Sequence, residues 1–168
     1  MAVAMHENTD VFEYLDSLEG RVLFLHGCNA QGVMGAGVAK FVRQRWPEVY
    51  RPYRRLCEDA DDKSLLVGHP QFIEVSPKLT VVNGITQEFY GRGSDRWASS
   101  EAIAGVLSDL TGYLVSLPDG FATFDHYVTV PVGCGLGGLK WSERVAEDEP
   151  SVEEVFADHP LAWEICRL

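Results

Sequence analysis

Two glycine-rich segments carry the residue types best suited to binding a ligand. The first, residues 26–39, has the sequence HGCNAQGVMGAGVA, and the second, residues 130–139, has the sequence VPVGCGLGGL. Each is expected to leave the carboxyl end of a strand and to enter a helix. Glycine allows positive φ and close backbone approach, and a helix N-terminus presents unpaired amides to an anion. The second segment has four glycines within residues 133–138, which can form a concave nest of amides that holds phosphate.

Each segment by itself is also consistent with a tight strand-to-helix turn. A P-loop is excluded because neither segment continues into Gly-Lys-Ser or Gly-Lys-Thr. A Rossmann site is disfavoured, since the first segment is too long for G-x-G-x-x-G and no acidic residue closes a strand about 20 positions on. Ligands of open α/β sheets lie beyond the carboxyl ends of parallel strands. We therefore expect the two segments to converge at one edge of a sheet and to clamp a diphosphate.

The elements that must position these segments alternate between strand and helix. Side chains alternate in polarity along strands and repeat every three to four residues along helices. The predicted strands are residues 2–7, 21–26, 71–75, 79–85, 126–132 and 163–168, and the predicted helices are residues 11–18, 36–46, 47–58, 98–117 and most of 141–157. This order predicts an α/β protein, a three-layer α/β/α sandwich with a mixed, largely parallel central sheet. A length of 168 residues predicts a single domain, 1–168.

The chain is acidic, with 25 Asp and Glu against 14 Lys and Arg and a formal charge of −11. We therefore expect no direct nucleic-acid binding, and we expect backbone amides to hold any anionic ligand. No membrane-length apolar run or secretory signal is recognisable, so we expect a cytoplasmic monomer without membrane contact. The four cysteines form no CxxC pair and no cluster with histidine, which predicts neither a disulfide framework nor a metal site.

Several polar side chains have two interpretations each. His26 is expected to end a strand at the mouth of the site, where an imidazole with a pKa near ~6.5 suits activation of water or attack on phosphorus. It is equally consistent with a structural hydrogen bond. Asp10 suits the cap of the helix that begins at Val11. Five arginines favour a solvated, salt-bridged helical face, with a partner-docking surface as the other interpretation: Arg43, Arg45, Arg51, Arg54 and Arg55. Cys28 and Cys134 are interpreted as packing residues rather than nucleophiles.

With these motifs, the sequence resembles a macro domain, the ADP-ribose-binding α/β/α module. Residues 25–39 are similar to its first binding loop, residues 131–139 with Trp141 to its second, and residues 83–87 with Tyr90 and Gly91 to its middle strand and following loop. The histidine before Cys28 and Asn29 is most like the ADP-ribose-1''-phosphate phosphatase branch, in which that histidine is assigned to catalysis. The resemblance implies hydrolysis of the phosphate of ADP-ribose-1''-phosphate without metal or cofactor.

The resemblance also implies the site residues. Asp10 matches the acid that accepts from the adenine amino group, and Asn29 matches the asparagine that faces the distal ribose. The implied catalytic residues are His26 and Asp95, the latter being the candidate for an aspartate near the distal ribose. The implied ligand-binding residues are Asp10, Val11, Asn29, Gly32, Val33, Met34, Gly35, Ala36, Gly37, Val38, Gly133, Cys134, Gly135, Leu136, Gly137 and Gly138.

Other activities that share such a pocket stay open. One is a module that binds or sequesters ADP-ribose without catalysis, and another is hydrolysis of O-acetyl-ADP-ribose or of ADP-ribose esters on protein. A further macro domain branch attacks the distal ribose with a lysine, assisted by an aspartate in the second loop. Gln87 and Gly137 stand at those places here. Since neither side chain can take these roles, we predict no covalent lysine intermediate.

Overall fold

The computed structural model describes residues 3–91 and 96–168. Its strands are β1 (Ala4–Glu7), β2 (Val22–Asn29), β3 (His69–Ser76), β4 (Leu79–Gln87), β5 (His126–Thr129) and β6 (Trp163–Arg167). They form one sheet in the order β1-β6-β5-β2-β4-β3. All neighbouring strands are parallel except β3, which pairs antiparallel with β4 at one edge. The sheet is therefore mixed and largely parallel, as the alternation of elements predicts.

Helices cover both faces of this sheet. They are α1 (Val11–Ser17), α2 (Gly37–Arg45), α3 (Pro47–Asp59), α4 (Ser100–Ser116) and α5 (Val152–Asp158). The start of α4 is fixed by Ser99, whose side chain accepts from the amide of Ala102. Pro47 occupies the first turn of α3. Amides in the first turn have no intrahelical acceptor, so the amide hydrogen that proline lacks is not needed there.

Two apolar cores lie on opposite faces of the sheet and confirm the three-layer sandwich. Leu23 and Leu25 of β2 pack with α4 and α5, whereas Val22 and Phe24 pack with α1, α2 and α3. This division follows from the two-residue period of a strand, which sends successive side chains to opposite faces. His26 continues the row of Val22 and Phe24, and its ring stacks on that of Phe24.

The prediction that most of residues 141–157 is helical is wrong. Only α5 forms, because Ser151 and Glu154 make a capping box in which each side chain accepts from the other residue's amide. Pro150 also disfavours a helical conformation at Glu149. Residues 141–151 run as turns and bends. The second glycine segment therefore does not enter a helix, and any anion site there consists of loop amides.

The strand β2 extends three residues further at its carboxyl end than predicted. Gly27 and Cys28 continue the parallel pairing with Gly84 and Ile85 of β4, and Asn29 pairs with Gln87 after a register shift. Within the described ranges, no helix is both long and apolar enough to cross a membrane. All four cysteines are free thiols.

Candidate functional site

A cleft of about 430 Å³ opens at the carboxyl ends of three adjacent strands. The central one, β2, leads into the first glycine segment, β5 leads into the second, and β4 supplies Thr86 and Gln87 between them. Both glycine segments therefore reach the same cleft, as expected for strands that end at one edge of a parallel sheet. Its volume lies within the range of about 300–1,000 Å³ that is typical of ligand pockets.

Asn29 organises the first loop from the end of β2. Its Nδ2 donates to the carbonyl of Val33 at 2.8 Å, and its Oδ1 accepts from the amide of Gln31 at 2.9 Å. The buried hydroxyl of Tyr53 in α3 contacts Oδ1 at 2.9 Å and the Asn29 carbonyl at 2.7 Å. An amide nitrogen has two hydrogens. Among the described residues, only one acceptor is present for Nδ2, so its second hydrogen is unpaired there while the other bonds hold the side chain in place.

The N-terminus of α2 lies in the wall of the cleft. Ala36 occupies the cap position with extended backbone, and no side chain of the described residues caps the helix there. Ala36, Gly37, Val38 and Ala39 all line the cleft. The first amides of a helix have no intrahelical partner, and the helix dipole favours an anion beside them. This wall can hold a phosphate group without a lysine or arginine.

The second loop is held by its own backbone and by the segment before α4. The amide of Leu139 donates to the Gly133 carbonyl at 2.9 Å, and the amide of Gly138 donates to the Gly135 carbonyl at 3.1 Å. The amides of Trp97 and Ala98 both donate to the Gly137 carbonyl, at 2.9 and 3.0 Å.

Glycine is required at Gly137, since a Cβ there would lie 2.6 Å from the Gly133 carbonyl oxygen. At Gly135, by contrast, a Cβ would have nothing within 4 Å, and the residue faces the open cleft. The two positions therefore differ in kind. Gly137 maintains the shape of the loop, whereas Gly135 leaves space for a ligand.

The structure brings most of the predicted ligand-binding residues together. Those that line the cleft are Asn29, Val33, Gly35, Ala36, Gly37, Val38, Gly133, Gly135, Leu136 and Gly137. Those that do not line it are Asp10, Val11, Gly32, Met34, Cys134 and Gly138. The side chains of Val11 and Met34 are buried in the core beside α2 and α3. Gly32 has a φ of +79° and packs against α3, facing away from the cleft.

His26 does not lie at the mouth of the cleft, so that prediction is wrong. Because β2 continues to Asn29, His26 lies within the strand rather than at its end, and its imidazole has no exposed surface. Its Nε2 donates to Oδ1 of Asn83 in β4 at 2.6 Å. Burial lowers the pKa of His26 to about 4, although the bond to Asn83 acts in the opposite direction. The ring is therefore neutral near pH 7 and makes a structural hydrogen bond behind the cleft.

Asp10 acts as the helix cap that its position suggests. Its Oδ1 accepts from the amides of Phe12 and Glu13, at 2.9 and 3.1 Å. The described contacts leave Oδ2 available, so the cap does not consume the whole carboxylate. Asp95, the other candidate catalytic residue, lies outside the described residues.

Several cleft residues were not among the predicted site residues. The end of β4 and its loop contribute Thr86, Gln87, Tyr90 and Gly91. The Gln87 side chain donates to the carbonyl of Phe89 at 2.7 Å. A signal for these residues was present, since residues 83–87 with Tyr90 and Gly91 resemble the middle strand and following loop of a macro domain. Gly27, Cys28, Ala39, Val130, Pro131 and Val132 complete the described wall.

The described wall of the cleft carries no carboxylate, imidazole, amine or guanidinium group. The thiol of Cys28 is the nearest to a nucleophile, and burial raises its pKa well above the usual value. It is therefore a neutral thiol near pH 7, in agreement with its interpretation as a packing residue. The wall offers backbone amides, the Asn29 amide group and hydroxyl groups, which suits binding of a neutral sugar and an anion.

No family model matches the chain. It is 30% identical over 127 residues, 68% of this chain and 31% of the relative, to a DNA ADP-ribosyl transferase-DNA ADP-ribosyl glycohydrolase fusion protein of Thermosipho africanus. It is 30% identical over 95 residues, 49% of this chain and 53% of the relative, to an ADP-ribose 1''-phosphate phosphatase of Debaryomyces hansenii. The matches thus span only about a third and a half of these relatives' own lengths.

Solved structures share the fold across the chain. A macrodomain protein from Streptomyces coelicolor superposes with a TM-score of 0.71 at 23% identity, covering 99% of both chains. The Thermosipho africanus DarTG protein in complex with ADP-ribose superposes with a TM-score of 0.61 at 19% identity, covering 86% of this chain and 37% of that one. With two glycine loops at the carboxyl ends of β2 and β5 and an architecture shared with these structures, the chain has the macro domain fold.

Proposed function

We propose that the protein binds ADP-ribose, or a derivative carrying a group on the distal ribose, in the cleft between the two glycine loops. The observation that carries this proposal is the pairing of the α2 N-terminus with the open backbone at Gly135 across a cleft whose described wall has no charged side chain. Backbone amides on both sides suit a diphosphate, since they supply donors without adding a countercharge. A structure of similar fold in complex with ADP-ribose supports this choice of ligand.

Two side chains are proposed to fix the ends of the ligand. Asn29 presents its remaining amide hydrogen to the distal ribose, and its other hydrogen bonds hold the group in position. Asp10 presents Oδ2 to the adenine amino group while Oδ1 caps α1. Asp10 does not line the cleft itself, so this contact places the adenine beyond the cleft mouth.

As the reaction, we propose hydrolysis of the phosphate of ADP-ribose-1''-phosphate without metal. Water attacks phosphorus, the bond to the 1''-oxygen breaks with that oxygen taking up a proton, and the products are ADP-ribose and inorganic phosphate. The name of the Debaryomyces hansenii relative supports this substrate. The proposed base is Asp95, the aspartate that the resemblance to macro domains implies, since His26 is buried behind the cleft.

The alternative reaction through a lysine adduct lacks support in the cleft. Gln87 and Gly137 both line it. The resemblance assigns the lysine and the aspartate of that branch to these two positions. A neutral amide does not form an imine with the ribose, and glycine supplies no acid or base. We therefore do not propose a lysine-adduct reaction, although one relative is named as a DNA ADP-ribosyl glycohydrolase.

The test separates binding from catalysis. Calorimetric titration with ADP-ribose should show one site per chain, and a phosphate-release assay on ADP-ribose-1''-phosphate should show turnover. Asp95→Asn should lower turnover by about 10²-fold or more with ADP-ribose affinity unchanged. His26→Gln should keep parental turnover. Binding without any phosphate release by the parent would leave a non-catalytic ADP-ribose-binding module, and the absence of binding would overturn the proposal.

A further inference from the structure

Thr86 occupies an irregularity of the sheet in the wall of the cleft. The register of β4 against β2 shifts after Ile85, and the next residue of β4 that pairs is Gln87. Thr86 between them therefore has no partner on β2. The antiparallel pairing of β4 with β3 has also ended at Ile85. A bulge of this kind beside a binding site re-aims the side chain of the extra residue, and Thr86 lines the cleft.

The hydroxyl of Thr86 is almost enclosed by protein, yet it has no hydrogen-bond partner among the described residues. Only 2% of the residue is exposed. Within the described ranges, every side-chain nitrogen or oxygen that is sealed from solvent has a hydrogen-bond partner. The unpaired hydroxyl is therefore not sealed by these residues, and it opens towards the cleft that Thr86 lines. A polar group in this position costs free energy unless water or a ligand completes its hydrogen bonds.

A glycine keeps space open beside this hydroxyl. A Cβ on Gly27 would lie 3.2 Å from Oγ1 of Thr86 and 4.0 Å from the amide nitrogen of Gly133. The amide of Gly133 donates to no backbone carbonyl among the described residues. A hydroxyl and a backbone amide, both able to donate a hydrogen bond, thus border one small space in the cleft wall.

The strand order places this space at one end of the proposed ligand. Asp10, which is proposed to take the adenine, follows β1, and β4 lies four strands away from β1 in the sheet. Neighbouring strands lie about 4.8 Å apart, so these two ends are about 19 Å apart. The proposed diphosphate lies between them, at the loops that follow β5 and β2. Gly27 precedes Asn29, the proposed contact of the distal ribose, by two residues, about 7 Å along a strand. A group carried by that ribose therefore lies beside Thr86.

We infer that the Thr86 hydroxyl, together with the Gly133 amide, binds the phosphate on the distal ribose of ADP-ribose-1''-phosphate and thereby selects this substrate. The inference rests on the proposed function, because it assigns residues to one end of that ligand. The oxygens of an ionised phosphate all accept hydrogen bonds, which matches two donors, and bonds to a charged acceptor are stronger than those between neutral groups. An acetyl ester offers these donors a single carbonyl oxygen, and ADP-ribose itself offers only a neutral hydroxyl.

The test compares two ligands that differ only at the distal ribose. One is ADP-ribose, and the other is its analogue with a phosphonomethyl group at C1'', a phosphate mimic whose carbon linkage is not hydrolysed. Thr86→Val removes the hydroxyl and keeps the shape of the side chain. In calorimetric titrations this variant should bind the phosphonate about tenfold more weakly than the parent, which corresponds to about 1.4 kcal/mol. Its affinity for ADP-ribose should change by less than about threefold.

Three further variants serve as controls. Thr86→Ser restores a hydroxyl and should retain most of the affinity for the phosphonate. Thr80→Val makes the same substitution at another buried threonine of β4, which does not line the cleft, and it should leave both affinities at the parental values. Circular dichroism checks that each variant is folded. If Thr86→Val does not fold, Thr86→Ala against Thr86→Ser gives the same contrast between absence and presence of the hydroxyl.

Four outcomes would overturn the inference. They are parental affinity of the folded Thr86→Val protein for the phosphonate, an equal loss for both ligands, an equal loss in Thr80→Val, and a parent that binds ADP-ribose but not the phosphonate. Each of these leaves the proposed binding of ADP-ribose standing. A parent that binds neither ligand would instead reject the proposed function, and the inference with it.

Discussion

Glutamate in place of Gly135 should abolish ADP-ribose binding and leave the fold intact. A Cβ at this position has nothing within 4 Å, and the residue does not adopt a positive φ, so the substitution adds neither a clash nor backbone strain. The new carboxylate enters a cleft of about 430 Å³ that is proposed to hold a diphosphate. At about 4 Å and an effective dielectric constant of about 20, one pair of like charges costs about 4 kcal/mol. That is roughly a thousandfold in affinity.

Calorimetric titration with ADP-ribose measures this loss of affinity, and two further variants serve as controls. Gly112→Glu makes the same substitution at an exposed position of α4 where a Cβ also meets nothing within 4 Å. It should keep the parental affinity. Gly135→Gln adds the same length without the charge, and it should retain more affinity than Gly135→Glu. Parental affinity of a folded Gly135→Glu protein would refute the assignment of the second loop to the diphosphate.

Four further predictions concern stability, pH, base selectivity and mechanism. Gly137→Ala places a Cβ 2.6 Å from the Gly133 carbonyl oxygen, so urea unfolding should show a loss of about 1–3 kcal/mol. His26 has a pKa of about 4 in the folded protein against 6.5 in the unfolded chain. Below pH 6.5 the unfolded chain therefore binds a proton at His26 that the folded protein does not bind. The free energy of unfolding should fall by about 3 kcal/mol between pH 6.5 and pH 4. Urea unfolding across this range should show that His26→Gln lacks this component; an unchanged pH dependence would contradict burial of a neutral ring. Asp10→Asn should keep the cap of α1 but weaken ADP-ribose binding, and the parent should reject IDP-ribose by about 1–3 kcal/mol. Equal titration of both nucleotides would make Asp10 a helix cap alone. Borohydride trapping with ADP-ribose should leave the protein mass unchanged, whereas an adduct on Lys78 or Lys140 would move the protein to the glycohydrolase branch.

The sheet and the position of the cleft could be predicted from sequence because they depend on local patterns. The alternation at Val22, Leu23 and Phe24 defines both faces of β2, and the resulting order of elements defines the layers. Once the strands are parallel, loops at the ends of β2 and β5 must meet at one edge. No knowledge of individual side-chain contacts is needed for that conclusion.

The errors arise where the outcome depends on neighbours distant in sequence. A glycine after His26 suggests the end of a strand, but pairing with Gly84 and Ile85 of β4 extends β2 to Asn29 and buries the imidazole. The two-residue period did hold a warning, since His26 shares a face with Val22 and Phe24, both core residues. The residues at the end of β4 were missed because their place beside β2 follows from the strand order, which is a property of the whole sheet.

The false helix over residues 141–157 has a different cause. Apolar residues recur there at helical spacing, yet Pro150 and the capping box of Ser151 with Glu154 set a later start. The capping box therefore sets the first residue of α5, although the apolar periodicity predicts an earlier start. A cap contributes about 1 kcal/mol, which is enough to set the boundary of a short helix. As a result, the second glycine loop presents loop amides to the cleft instead of a helix N-terminus.

A crystal structure of the protein with ADP-ribose tests the central claim most directly. The account predicts a diphosphate between the two loops, with its oxygens about 2.7–3.2 Å from amide nitrogens of residues 37–39 on one side and 135–137 on the other. It also predicts the distal ribose beside Asn29. A diphosphate bound outside the cleft, or one held in the cleft by side chains with these amides unengaged, would contradict it.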